Sequence, residues 1–126
     1  MIVLALETTT DRLSVAARDG PAARQSLNSG LGTPDSGLPS AAGLVAERTF
    51  EGARMHAAKL FPLVDEVLNE LGVTLEEVDA LALADGPGSF TGLRVGAAAA
   101  KALARARPGL SVWTASTLLV RAAAAR

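Results

Sequence analysis

No cysteine occurs among the 126 residues. A disulfide framework, thiolate chemistry and a cysteine-built metal cluster are therefore excluded. Histidine is nearly as scarce, with His56 alone. One imidazole supplies a single metal ligand, whereas tetrahedral and octahedral sites need several more. It also leaves a hydroxyl nucleophile only one imidazole base in the whole chain. There is no basic excess: 12 Lys and Arg stand against 13 Asp and Glu, for a net charge of −1. That balance carries no electrostatic signature of nucleic-acid binding. The opening "MIVLALETTT" carries Glu7 and lacks a basic leader, and its apolar run is too short for a span. The expectation is a cytoplasmic protein with no membrane association.

What is present is a globular composition, 49% apolar and 20% charged, which argues against disorder. The length suits one ordinary domain with its own core. "IVLALE" (2–7) reads as a buried strand and "LSVAAR" (13–18) as a second, with Asp19-Gly20 as a hairpin signal. Residues 21–42, rich in Ser, Gly and Pro and without period, read as a long flexible loop. "LVAERTFEG" (44–52) reads as a third strand, in which Leu44, Ala46, Arg48 and Phe50 alternate with Val45, Glu47, Thr49 and Glu51. Three successive strands predict an antiparallel meander. From Met55 the period becomes helical through Leu60, Val64, Val67, Leu68 and Leu71, with Gly72 as a stop and Pro62 in the first turns or at a kink. "TLEE" (74–77) is a capping box. "ALALA" (80–84) is a fourth strand, Gly92 to Ala106 a second main helix, "SVWTA" (111–115) a fifth strand, and Ser116 a cap for a last helix. The order βββαβαβα is α/β.

Between the fourth strand and the second main helix lies "DGPGSFTG" (85–92). Strand end, glycine turn and helix N-terminus together offer free N–H groups and a positive dipole end, the general design of a phosphate site. Neither standard nucleotide motif fits. Gly92 is followed by Leu93 and Arg94, so no P-loop lysine is present. Thr91 stands where a dinucleotide fingerprint needs its third glycine, and the acidic residue for a ribose is missing. The alternative is a tight strand-to-helix turn, with Thr91 as N-cap, Asp85 capping the turn, and Gly86 and Gly88 at φ values other residues avoid.

"GPGSFTGLRVG" (86–96), with "IVLALETTTDRLSVAA" (2–17) and the segment from His56 through "LFPLVDEVLNELG" to "LEEVDALAL", resembles the TsaB (YeaZ) family. The resemblance covers residues 1–20 and 43–120. It implies an actin-like ATPase fold of two lobes, each a mixed five-stranded sheet with helices on a ribonuclease-H-like plan. The first lobe is then expected at 1–106, with 21–42 as a flexible insertion, and 107–126 as the start of a truncated second lobe. The resemblance further implies a non-catalytic scaffold in N6-threonylcarbamoyladenosine formation on tRNA. Its expected partners are the TsaD transferase subunit, the TsaE ATPase in the assembly, a second copy in a homodimer, and tRNA indirectly. The alternative is an actin-like ATP-binding or metallopeptidase-like enzyme.

Glu7 stands where relatives usually carry Asp for metal and phosphate, and with Thr8 to Thr10 it also reads as a polar strand end. No catalytic residue, metal ligand or cofactor is assigned. Gly86, Gly88, Ser89, Thr91 and Gly92 form a vestigial phosphate-type loop. Arg94, Lys101 and Arg105 share one side of the second helix, as a solvated face or a phosphate-tracking stripe. On the first helix the apolar arc, which holds His56, Leu60, Leu63 and Val67, is wider than one sheet needs. On the second, Leu93, Ala97 and Ala104 lie between the sheet-facing residues Gly96 and Leu103 and the charges. These seven are the expected partner interface.

Overall fold

The computed structural model describes residues 1–20, 45–52 and 54–125. Five strands form one sheet in the order β3-β2-β1-β4-β5. They are β1 (Ile2–Glu7), β2 (Arg12–Asp19), β3 (Val45–Glu51), β4 (Ala80–Ala84) and β5 (Ser111–Ala115). β1, β2 and β3 pair antiparallel, as the meander predicts, while β4 runs parallel to β1 and β5 parallel to β4. Among the described residues three α-helices accompany the sheet: α1 (His56–Leu71), α2 (Phe90–Ala106) and α3 (Thr117–Ala124). The insertion expected at 21–42, and Leu44, lie outside the described residues.

Alternation assigns the two sheet faces. Leu4 and Leu6 pair with Ala17 and Val15 on β2 and with Leu81 and Leu83 on β4, and all six are buried. α1 packs across β2 and β3, α2 across β4 and β5. Both helices therefore join parallel strands by crossovers that progress in one direction, which places them on one face. The core lies between that face and Leu60, Val64, Val67 and Leu68 of α1, with Ala99, Ala100 and Leu103 of α2. Ala46 and Phe50 of β3 join it as the alternation predicts, and Arg48 between them bridges to Glu66 and Glu70 of α1. The other face carries small residues, Ala5, Ser14, Ala16 and Ala82, all half-buried.

Helix ends follow local chemistry. Gly72 closes α1 at φ 69°, and its N–H and that of Val73 return to the carbonyls of Asn69 and Leu68. Pro62 sits within α1, which continues through it. Leu75–Glu77 is a single 3₁₀ turn, and Glu77 reaches back to accept the Thr74 N–H at 2.7 Å, the reciprocal half of the expected box. Asp19-Gly20 is no hairpin tip; Gly20 exchanges hydrogen bonds with Met1, extending the β1–β2 pairing. β5 pairs with β4 along its length, so residues 111–115, expected at the start of a second lobe, lie in the same sheet as β1 to β4.

Candidate functional site

Parallel strands deliver their carboxyl ends to one edge of the sheet, and the polar residues of the sequence gather there. β1 ends in Glu7, followed by Thr8, Thr9 and Thr10. Thr8 and Thr9 are 0% and 2% exposed. Such burial requires partners. Thr8 Oγ1 donates to the Gly92 carbonyl at 2.8 Å, tying β1 to α2. Thr9 donates both its N–H and its hydroxyl to Glu7 Oε1, and its carbonyl accepts the Ser89 N–H at 2.8 Å. Glu7 Oε2 is buried without a hydrogen-bond partner among the described residues.

The glycine loop is held to this knot at several points. Gly86 adopts φ 108°, the left-handed region that favours glycine, and precedes a cis Gly86-Pro87 peptide. Gly88 does not have a positive φ. It is required for space, since a Cβ there would lie 2.5 Å from the Thr9 carbonyl oxygen. The N-cap of α2 is Ser89, not Thr91: Ser89 Oγ accepts the Gly92 N–H at 3.2 Å, and Thr91 is exposed in the first turn. The cap falls where the chain leaves extended geometry, and that is two residues earlier than the apolar period suggests. The Asp85 carboxylate makes no hydrogen bond among the described residues, and only its N–H is engaged, with the Ala115 carbonyl. Thr117 grips the loop from the far side. Its N–H donates to the Gly86 carbonyl, and its Oγ1 accepts the Gly86 N–H and lies 3.1 Å from Thr9 Oγ1. Sequence reasoning missed Thr117. Its neighbour Ser116 has the cap signature and occupies the N-cap, yet makes no capping bond.

The expected partner interface divides. Leu60 and Val67 are 1% and 0% exposed and belong to the lobe's own core. His56 is buried as well, against the β1–β2 turn: its Nε2 lies 2.6 Å from the Thr10 carbonyl and donates to it. All three, expected at a partner interface, are buried within the chain itself. A wide apolar arc reflects the β2–β3 surface that α1 must cover. Leu63 is half-buried against the core. On α2, Ala97 is exposed and Leu93 and Ala104 are half-buried. Arg94, Lys101 and Arg105 are exposed, and Arg94 lies over the Phe90 ring.

Beside the knot lies a cleft of about 90 Å³, lined by Thr10, Asp11, Arg54, His56, Ser89 and Thr91 among others. It brings together the β1–β2 turn, the start of α1 and the start of α2. Among the described residues no group of three or more His, Asp or Glu side chains is placed to hold a metal ion, and no helix is long and apolar enough to cross a membrane.

A meander of three strands, two parallel strands reached by crossovers, and an order of β3-β2-β1-β4-β5 define a ribonuclease-H-like lobe of the actin-like ATPase fold. The family model of TsaD, tRNA N6-adenosine threonylcarbamoyltransferase, matches residues 43–125. A tRNA threonylcarbamoyladenosine biosynthesis protein TsaB from Haemophilus influenzae is 53% identical over 51 residues, 40% of this chain and 22% of that protein. A tRNA N6-adenosine threonylcarbamoyltransferase from Zymomonas mobilis is 39% identical over 105 residues, 83% of this chain and 28% of that protein. The crystal structure of a Pseudomonas aeruginosa protein with similarity to peptidase YeaZ superposes with a TM-score of 0.67 at 32% identity, covering 91% of this chain and 43% of that one. The chain belongs to the TsaD-type family and is homologous to TsaB (YeaZ). It spans less than a third of the length of these two sequence relatives and under half of the solved YeaZ-like chain.

Proposed function

We propose that the chain acts as a non-catalytic scaffold in N6-threonylcarbamoyladenosine formation on tRNA, binding the TsaD transferase subunit in the cytoplasm, with the TsaE ATPase joining the assembly. The likeness to TsaB and to the YeaZ-type structure, at 32% identity across 91% of the chain, carries this reading. The outer side of α2 supports it, because exposed Ala97 with half-buried Leu93 and Ala104 admits the close approach of another helix. Titration calorimetry of the chain against TsaD from the same source tests it. Saturable binding is expected, together with threonylcarbamoyl transfer by TsaD that depends on adding the chain. Absence of binding removes the scaffold role.

A second reading draws on the transferase relatives, which match 83% of the chain at 39% identity in the Zymomonas mobilis case. On it, Glu7, whose buried Oε2 has no partner among the described residues, works in an ATP-dependent site at the end of β1. The scaffold reading expects no ATP turnover by the purified chain. A turnover that survives repurification and disappears in Glu7→Ala would favour the enzyme.

A further inference from the structure

We infer that the sheet face opposite α1 and α2 is an interface with a second copy of this chain, in which each copy lays its α3 on the open face of the other. The strand register defines that face. Leu81 and Leu83 of β4 point into the core, so Ala82 between them points away from it. Ala82 stands beside Ala5 of β1 and Trp113 of β5, and Ala5 stands beside Ala16 of β2. Ala16, Ala5, Ala82 and Trp113 therefore form one row across four strands. No described helix packs across it. The three alanines make a shallow floor, and Trp113, 62% exposed, stands as a wall at the β5 edge. The row carries no charge until Glu47, which pairs with Ala16 from β3.

The complementary surface is α3. Leu118 and Leu119 are 64% and 69% exposed, and the exposed Ala122 and Ala123 follow one turn later on the same side. Thr117 ties the start of α3 to the Gly86 loop, and in that position both leucines face solvent rather than the floor of their own sheet. One chain thus holds a helix with large apolar side chains and a sheet face with small ones, and each is what the other needs for close packing. Their sizes agree. α3 has eight residues, a length of about 12 Å, and the four strands of the floor span about 14 Å. A two-fold axis makes the contact twice, because each copy carries both halves. Covering Trp113 at its present exposure removes about 100–150 Å² from water. With α3 and the floor added, each copy approaches the roughly 800 Å² per partner of a stable interface. A monomer rarely leaves an apolar patch of that extent uncovered.

The inference does not rest on the scaffold reading, since α2 lies on the opposite face of the sheet and stays open to TsaD. Trp113 is the only tryptophan, so its fluorescence reports on the contact without ambiguity. The 126-residue chain is followed by sedimentation velocity and by tryptophan emission from about 1 to about 100 µM, the weak end for interfaces of this size. A monomer–dimer equilibrium is expected, with emission moving to shorter wavelength as the dimer fills. Leu119→Glu and Trp113→Glu change exposed positions, so both are expected to melt as wild type and each to weaken pairing about tenfold or more. Mixing the two variants is expected to restore part of the pairing, because one of the two reciprocal contacts is then intact. Pairing of β5 with β5, or of α3 with α3, would give no such gain and overturns the exchange. A wild-type chain that stays monomeric over the whole range overturns the inference, as does a dimer whose emission does not move; neither result depends on a variant. Folded variants that pair as tightly as wild type overturn it as well.

Discussion

Gly92 and Gly96 stand one turn apart on α2, and both lie against Thr8. A Cβ on Gly92 would strike the Thr8 carbonyl oxygen, which is backbone just after β1 and cannot swing aside. A Cβ on Gly96 would lie 2.6 Å from Thr8 Oγ1, a hydroxyl already fixed by its bond to Gly92. Alanine in a helix interior gains about 1 kcal/mol over glycine, whereas forcing atoms into a packed contact costs about 1–3 kcal/mol. The clash at Gly92 wins because its neighbour is backbone. Gly92→Ala is expected to lose up to about 2 kcal/mol in urea unfolding, the balance of those two terms. Gly72→Ala separates this from conformational strain, since nothing lies within 4 Å of the added atom and only φ 69° resists it. A Gly92→Ala protein more stable than wild type would mean that α2 does not approach β1 so closely. The glycines were legible in the sequence as a loop that needs them, but their reasons were not. Only Gly86 needs its dihedral angle, while Gly88 and Gly92 need the space beside Thr9 and Thr8, and no local pattern reveals a contact more than 70 residues distant.

Strands and helices were legible because periodicity records which side of an element is buried. β1, β4 and β5 match their expected bounds, and α1 begins one residue after Met55. Periodicity does not record what does the burying. His56, Leu60 and Val67 share one side of α1, and the sequence alone cannot separate a sheet beneath that side from a partner beside it. The paired strands β2 and β3 supply the answer, since α1 packs across both and they are separated in the sequence by residues 20–44. Leu60→Ala decides the matter experimentally. Removing a buried leucine side chain is expected to cost about 2–5 kcal/mol, the transfer term plus the cavity. Denaturant unfolding would register it as a lower midpoint at unchanged slope. The Arg48 bridges to α1 are part-exposed at both ends, and contribute about 1 kcal/mol or less each. Core packing, not ion pairing, therefore holds α1. A Leu60→Ala protein of wild-type stability but weakened self-association would return Leu60 to an interface.

At the scale of the whole molecule, apolar surface remains exposed: Phe90 at 73%, Trp113 at 62%, Leu118 and Leu119 at 64% and 69%. These residues sit at the start of α2, on the edge strand and on α3. The Leu93, Ala97 and Ala104 side of α2 is more specific, since small residues permit backbone approach and Arg94, Lys101 and Arg105 flank it. Ala97→Arg tests it. Position 97 is exposed in the lobe, so a long cation there meets water and the fold is expected to melt as wild type. In a helix contact the same cation would be forced into a close approach, at a cost of about 1–3 kcal/mol for overpacking, with an unpaired buried charge adding to it. About 1.4 kcal/mol is a decade in affinity, so association with TsaD, or with a second copy, is expected to weaken at least tenfold. The measurement is paired: circular dichroism melting for the fold, sedimentation or calorimetric titration for association. Unchanged binding with an intact fold would place the interface on another surface, with the exposed residues of β5 and α3 the next to substitute. A variant that unfolds would instead show that Ala97 is held within the lobe, against its exposure, and would end the assignment of this side of α2 to a partner.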